Sequence, residues 1–226
     1  MAAPYRILDQ LVPETRERLL AGHRLIEIPA GHQLIFQADW GGEVYVVESG
    51  LAKARCLSLQ GDEVVLTLMG SGALIGDLAL LSPRPVRTVD VVALTAMSVK
   101  KLRQGALEEA LKNNADFNQA ITYLQVQRLC NLGNRLMIMN EDATTRVLYA
   151  LHLLATVNSP DGNPLDPLPA LSQQEIAILA GLSRGSTSTL INKLRSNGTL
   201  EQTEQGLRFV SLAPLQRRGL LPDPSR

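Results

Sequence analysis

The chain has 226 residues, and its 22 Lys and Arg residues balance 22 Asp and Glu residues, so its formal net charge is zero. Hydrophobic residues make up 45% and charged residues 19%, which excludes a disordered chain and allows a sizeable core. No apolar run reaches the roughly 18–20 residues that span a membrane, and the N-terminus lacks the pattern of a signal peptide. The 2 cysteines are too few for a disulfide framework. We therefore expect a cytoplasmic protein without a membrane partner, whose neutral charge excludes a uniformly basic surface but allows a local one.

The first part of the chain has the pattern of a small antiparallel sandwich or jelly roll. A short helix is predicted over residues 12–20, and short strands are predicted over 34–36, 44–47, 64–68 and 89–93. Glycine-containing turns separate these runs at spacings of about ten residues, as in all-β sandwiches and rolls.

A helical pattern follows, with a short helix predicted over residues 107–114 and a long one over 115–139. Inside the long helix, Leu129, Leu132, Leu136 and Met139 follow the +3, +4, +3 spacing of a two-helix coiled coil. Alternatively, the stripe packs on its own sandwich. We predict a homodimer, because a helix of this length exceeds what one small domain needs.

The last part of the chain has the signals of a winged helix-turn-helix. A helix over residues 144–156 and a proline-rich connector precede Ser172 and Glu175, whose spacing is that of a capping box. Gly181 is suited to end the helix that begins there, and Ser183 is suited to cap the next one. Two helices joined by so short a turn form a helix-turn-helix, and residues 200–212 predict a hairpin wing.

In a helix-turn-helix, the second helix enters the major groove of DNA with its N-terminal residues at the base edges. Arg184 is suited to a bidentate contact with guanine, while Ser186, Ser188 and Lys193 are suited to phosphates. Between Ser172 and Arg218, six basic residues face three acidic ones, so the positive excess lies where DNA contact is predicted. The alternative is a packed helical hairpin with a solvated basic face. The predicted DNA-contacting residues are Ser172, Gln173, Ser183, Arg184, Gly185, Ser186, Ser188, Thr189 and Lys193.

The order of these parts resembles the CRP/FNR family of bacterial regulators, named for the catabolite activator and the fumarate–nitrate reduction regulator. Residues 171–184 and 76–81 carry the most specific likeness. The resemblance implies an α+β fold with a cyclic-nucleotide-binding-like β-roll (jelly roll) over residues 1–106. A linker and dimerisation helix over 107–140 and a winged helix-turn-helix over 141–226 would follow. It also implies a homodimer that binds palindromic double-stranded promoter DNA and recruits or blocks RNA polymerase.

The second helix of the motif departs from the pattern of the catabolite activator. Arg184 matches the family arginine, but Gly185 stands where a base-reading glutamate is usual, and Thr189 stands where the activator has a second arginine. Glycine has no side chain to read a base, and threonine cannot fork onto guanine. We therefore expect a half-site different from the common ones of the family.

The resemblance also implies an effector pocket in the roll. Cyclic-nucleotide-binding members carry a Gly-Glu-Leu cassette and a later Arg-Ser or Arg-Thr pair, in which the arginine holds the phosphate and the carboxylate accepts a ribose hydroxyl. The adenine-contacting Thr-Ser pair of the dimer helix is replaced here by Asn131-Leu132 or Leu132-Gly133. Alternatively, Arg87 pairs with a carboxylate of the roll, with Asp77 as the candidate. The candidate effector residues are Gly76, Asp77, Leu78, Ala79, Arg87, Thr88, Asn131 and Leu132.

Other effectors and other functions require particular metal-ligating or cofactor-ligating residues. Two cysteines exclude an iron–sulfur cluster, whereas a cyclic nucleotide or another small anion stays open. A haem, held by His23, His32, His152, Cys56 or a methionine, is the less favoured alternative. A metal-dependent cupin enzyme would need a His-x-His motif that the roll region lacks, so we expect no enzymatic activity. The remaining rival is a cyclic-nucleotide-type module that regulates a protein partner without sequence-specific DNA binding. The predicted winged helix argues against it.

Overall fold

The structure is a computed structural model that describes residues 5–221. A 3₁₀ turn at Ile7–Gln10 precedes the first helix. The helices are α1 Pro13–Leu20, α2 Asp77–Leu81, α3 Gln104–Asn113, α4 Ala115–Ile138, α5 Ala143–Asn158, α6 Gln173–Ala180, α7 Arg184–Ser196 and α8 Ala213–Gln216. The strands are β1 Arg24–Ile28, β2 Gln33–Ile35, β3 Tyr45–Ser49, β4 Ala52–Leu57, β5 Glu63–Met69, β6 Leu74–Ile75, β7 Asp90–Ala93, β8 Met97–Lys101, β9 Leu200–Thr203 and β10 Gly206–Phe209.

The chain divides into two compact units, and the boundary between them falls inside α4. One unit contains the described residues up to Cys56 together with Leu66–Leu132, and the other contains Leu57–Val65 and the described residues from Gly133 onward. In the part of the chain that the structure describes, no helix is both long and apolar enough to span a membrane.

The first unit is a β-roll of two four-stranded sheets, with strand orders β1-β8-β3-β6 and β2-β7-β4-β5. Strand β3 shows how one strand serves two cores, because successive side chains point to opposite faces. Tyr45 and Val47 lie in the core between the sheets, whereas Val46 packs into a second core with α1, α3 and α4. This second core holds Ile121 and Leu124, and it fixes the N-terminal part of α4 against the roll.

The second unit is a winged helix. Helix α5 begins at Asp142, whose carboxylate accepts hydrogen bonds from the backbone N–H groups of Thr144 and Thr145. Hydrogen bonds from the side chain and backbone of Thr145 lower the pKa of Asp142 from 3.8 to about 2. Strands β9 and β10 form the predicted antiparallel hairpin. The predicted order of roll, long helix and winged helix-turn-helix is therefore confirmed.

Within the roll, sequence patterning found the strands with long apolar runs and missed the others. The four predicted strands correspond to β2, β3, β5 and β7. No run was assigned to β1, β4, β6 or β8. The sequences of β1, β4 and β8, RLIEI, AKARCL and MSVKK, mix charged residues with the core positions, and β6 has only two residues. In β4, Ala52 and Ala54 face the core and Lys53 is also buried, so apolar alternation is faint there.

The apolar stripe of α4 has two parts. Leu129 and Leu136 are 71% and 63% exposed within the single chain. By contrast, Met139 lies beside Gly181, and Leu132 lines a cavity in the roll that is described below. The predicted stripe therefore contains two exposed positions that are available to a second copy and two that have contacts within the chain.

Candidate DNA-binding and effector sites

Two serine caps and one left-handed glycine define the ends of the two helices in the helix-turn-helix. The Ser172 hydroxyl accepts the backbone N–H of Glu175 at 3.2 Å and caps α6. Gly181 ends that helix in the left-handed conformation, at φ +61°, which an L side chain adopts only with strain. The Ser183 hydroxyl then accepts the backbone N–H of Ser186 at 3.2 Å and caps α7. The turn between the helices is thus fixed by residues within it.

Two arginines from outside the motif hold the C-terminal end of α6. Arg135 donates to the carbonyl oxygen of Leu179 at 3.0 Å, and Arg146 donates to that of Gly181 at 3.2 Å. Arg135 is itself buried, and this burial lowers its pKa. These bonds satisfy carbonyls that have no partner within the helix, and the positive charges of the two arginines interact favourably with the negative end of the helix dipole. The position of α6, and of α7 packed on it, is therefore set from α4 and α5.

The N-terminal face of α7 is presented to solvent. Arg184, Gly185 and Thr189 are exposed, while Thr187 on the opposite face is fully buried. A Cβ added at Gly185 would meet no heavy atom within 4 Å. The Thr189 hydroxyl donates to the Gly185 carbonyl oxygen at 3.0 Å. Of the other predicted contacts, Ser172, Gln173, Ser183, Ser186 and Lys193 are exposed and Ser188 is half-buried.

The free positive charge of this unit is concentrated on α7. Arg208 of the wing forms an ion pair with Glu201, and Arg218 donates to the carboxylate of Asp142 at 2.6 Å. Arg184, Lys193 and Arg195, by contrast, form no ion pair with any carboxylate in residues 5–221. A count of charges along the sequence could not separate the paired arginines from the unpaired ones.

The candidate effector residues line a cavity of about 190 Å³ in the roll. Gly76, Asp77, Leu78, Ala79, Arg87, Thr88 and Leu132 all contribute to its wall. Asn131 is exposed and is not part of this wall. Of the three positions in the two alternative registers, only Leu132 lines the cavity. Gly76 adopts φ +90°, and a Cβ there would lie 2.5 Å from the Glu43 carbonyl oxygen and 2.8 Å from Arg87 Nη1. Glycine is therefore required at that position.

The guanidinium of Arg87 is bound by acceptors of the roll. Its Nη1 donates to the Gly76 carbonyl oxygen at 3.0 Å, and its Nη2 donates to the carbonyl and carboxylate of Glu43 at 2.8 and 3.2 Å. The backbone N–H of Glu43 itself lowers the pKa of that carboxyl, and Lys101 and Arg87 add to the effect. The alternative of a roll carboxylate as partner is thus observed, but the suggestion of Asp77 was wrong, since Asp77 is held elsewhere.

Asp77 is held by α4. Arg128 Nη1 donates to both carboxylate oxygens at 2.8 and 2.6 Å, and Arg128 Nη2 donates to the Leu74 carbonyl oxygen at 2.7 Å. Gln125 adds a third bond to the carboxylate, at 2.7 Å, and Asp77 is only 1% exposed. Sequence reasoning missed both partners. Gln125 and Arg128 continue the helical face of Ile121 and Leu124, and this spacing was the available signal.

Comparisons with known proteins agree with this architecture. The sequence model of the cyclic nucleotide-binding domain matches residues 25–114. The CRP-like cAMP-activated global transcriptional regulator of Mycobacterium tuberculosis (strain CDC 1551 / Oshkosh) is 25% identical over 195 residues, covering 85% of this chain and 87% of the relative. The cyclic AMP receptor protein of Thermus thermophilus is 28% identical over 191 residues, covering 84% and 85%. The chain is thus similar over most of its length to CRP-like transcription regulators.

Solved structures of the family have the same fold. The c-di-GMP responsive global regulator CLP of Xanthomonas campestris superposes with a TM-score of 0.70 at 23% identity, over 88% of this chain and all of that one. The relatives named above are transcription regulators, and this likeness supports the same class of function for this chain. Within residues 5–221, no group of three or more His, Cys, Asp or Glu side chains is placed to hold a metal ion.

Proposed function

We propose that this chain is a CRP/FNR-type transcription regulator, that it acts in the cytoplasm as a homodimer whose α7 helices read a palindromic promoter site, and that it recruits or blocks RNA polymerase there. The observation that carries this proposal is the exposed start of α7, where Arg184 stands beside an open Gly185. An arginine at this point of a helix-turn-helix reaches base edges in the major groove. Lys193 and the cap serines are placed to contact phosphates.

The dimer seam that we propose follows the exposed side of α4. Val126, Leu129, Gly133 and Leu136 follow the +3, +4, +3 spacing of a coiled coil, and the three apolar side chains are 49%, 71% and 63% exposed. A Cβ at Gly133 would meet no heavy atom within 4 Å, so this position allows close approach of a second helix. The proposed seam keeps two residues of the predicted stripe and replaces Leu132 and Met139, which have other contacts.

Effector control is the second element of the proposal. Arg128 and Leu132 bring α4 to the wall of the roll cavity, and the same continuous helix carries the proposed seam. A ligand that fills the cavity would therefore bias the position of the helix through which two copies associate. This arrangement supports a regulator whose affinity for DNA depends on the contents of the cavity.

A selection from random double-stranded DNA tests the proposal directly. We expect the full chain to enrich a palindrome whose half-sites lie about 10–11 base pairs apart, centre to centre, because two α7 helices related by a two-fold axis enter successive major grooves. The variant Gly181→Val, which strains the turn of the motif, serves as the matched loss-of-motif control. Failure of the wild-type chain to enrich any motif would contradict the proposal.

A further inference from the structure

The cavity of the roll differs chemically from a pocket for a charged nucleotide. Most of its wall is apolar, including Ile35, Leu66, Met69, Val91 and Leu132. Two arginines also contribute to the wall, and the structure gives each a carboxylate partner: Glu43 for Arg87 and Asp77 for Arg128. The charges at the cavity are therefore already balanced within the protein.

A cyclic nucleotide does not fit this set of partners at its phosphate end. The phosphate would need the Arg87 guanidinium, but both terminal nitrogens of that group donate to acceptors of Gly76 and Glu43. Arg87 is only 6% exposed. These bonds use three of the five N–H groups of Arg87, so a phosphate could reach only the remaining two, and it would add a second negative charge beside a buried guanidinium that Glu43 already neutralises.

The ribose end meets the same difficulty. Its hydroxyl would need access to the carboxylate of Asp77, but that group is only 1% exposed and already accepts three hydrogen bonds from Arg128 and Gln125. The helix position expected to contact the base holds Leu132, which offers no hydrogen bond. The residues present thus do not fit the ligand for which the matched domain family is named.

We propose that the cavity binds a small, neutral, apolar molecule of about the size of a substituted benzene, and that the Arg128–Asp77 pair excludes cyclic nucleotides. This inference rests on the effector role proposed above and specifies its ligand class. The volume of about 190 Å³ exceeds the roughly 150 Å³ of an apolar cavity known to hold benzene. A neutral ligand gains from the apolar wall while both ion pairs stay intact.

The experiment compares three probes on the full-length chain: toluene, benzoate and cAMP. We expect toluene to bind saturably, with a dissociation constant on the order of 1 mM or below. At about threefold excess over that constant, it should raise the melting temperature by about 2–3 °C. Benzoate, which adds a charge to a similar ring, and cAMP should each bind at least about tenfold more weakly, since a buried unpaired charge must be accommodated.

Two variants locate the binding. Thr67 and Leu132 are cavity-lining residues with partial exposure, so Thr67→Phe and Leu132→Trp should fill the space without displacing the core. Each should abolish the toluene shift, whereas the size-matched control Thr67→Val should retain it. Circular dichroism checks that each variant is folded. Retention of full toluene affinity by both filled variants would place the ligand elsewhere and overturn the proposal.

The outcomes separate this inference from the function on which it rests. Binding of cAMP or benzoate as tightly as toluene, or no saturable toluene binding, would overturn the assigned ligand class. Toluene binding that leaves DNA affinity unchanged would contradict effector control while supporting the ligand class. Absence of an enriched DNA motif would contradict the proposed DNA reading, whatever the cavity binds.

Discussion

The ion pair between Arg128 and Asp77 should be a main support of the β-roll. In Arg128→Met, the carboxylate of Asp77 loses the two bonds of 2.8 and 2.6 Å and keeps only that of Gln125. Breaking a buried ion pair costs about 3–5 kcal/mol. The Arg128 side chain is 25% exposed, which places the expected loss near the lower end, about 3 kcal/mol. At 2–4 °C per kcal/mol, the melting temperature should fall by about 6–12 °C.

Urea unfolding monitored by circular dichroism measures this loss in a double-variant cycle. The matched control is Arg84→Met, since Arg84 is exposed and in a loop, and its free energy of unfolding should change by less than about 0.5 kcal/mol. Asp77→Leu combined with Arg128→Met removes both charges and should be more stable than Arg128→Met alone. A loss below about 1 kcal/mol in Arg128→Met, with additive effects in the double variant, would refute this reasoning.

Three further predictions concern the dimer, the response to acid and the core of α7. Leu129→Asp combined with Leu136→Asp should give monomers, because both side chains are largely exposed in the single chain; an unchanged dimer in sedimentation velocity would exclude this seam. Burial lowers the pKa of His152 from 6.5 to about 4, so the unfolded chain binds more protons between these values and stability falls as pH decreases through them. The total loss should be about 3 kcal/mol, and His152→Leu should flatten the unfolding free energy between pH 6.5 and 4.5. The Thr187 hydroxyl is buried and lacks a hydrogen-bond partner in the described part of the chain, so Thr187→Val should raise unfolding stability by about 1 kcal/mol. A destabilised Thr187→Val variant in urea titration would indicate a hidden partner.

The helix caps and helix boundaries were predicted most accurately, because they depend on residues that are close together in the sequence. The caps at Ser172 and Ser183 and the left-handed Gly181 act within four residues of their partners, and the structure has all three. Helix boundaries agreed to within three residues for the same reason, as in α4, which ends at Ile138 instead of the predicted Met139.

The contacts at the cavity could not be predicted, because they join residues far apart in the chain. Arg128 and Asp77 are 51 positions apart, and Arg87 and Glu43 are 44 apart. A sequence motif that includes Asp77 and Arg87 does not indicate which charged side chains from other parts of the chain pair with them. The face of α4 towards the roll was also ambiguous, since Leu132 belongs to an apolar stripe that suits either a partner helix or a cavity wall.

The most direct test of the account is DNA selection with matched variants of α7. Arg184→Ala should lose its preference at one position of each half-site and weaken binding by about 1–3 kcal/mol per half-site. Lys193→Ala should weaken binding to all sequences about equally and flatten the salt dependence. Arg208→Ala is the control, because the charge of Arg208 is already paired with Glu201. An Arg184→Ala variant that enriches the wild-type motif would contradict the central claim that Arg184, at the start of α7, reads the DNA.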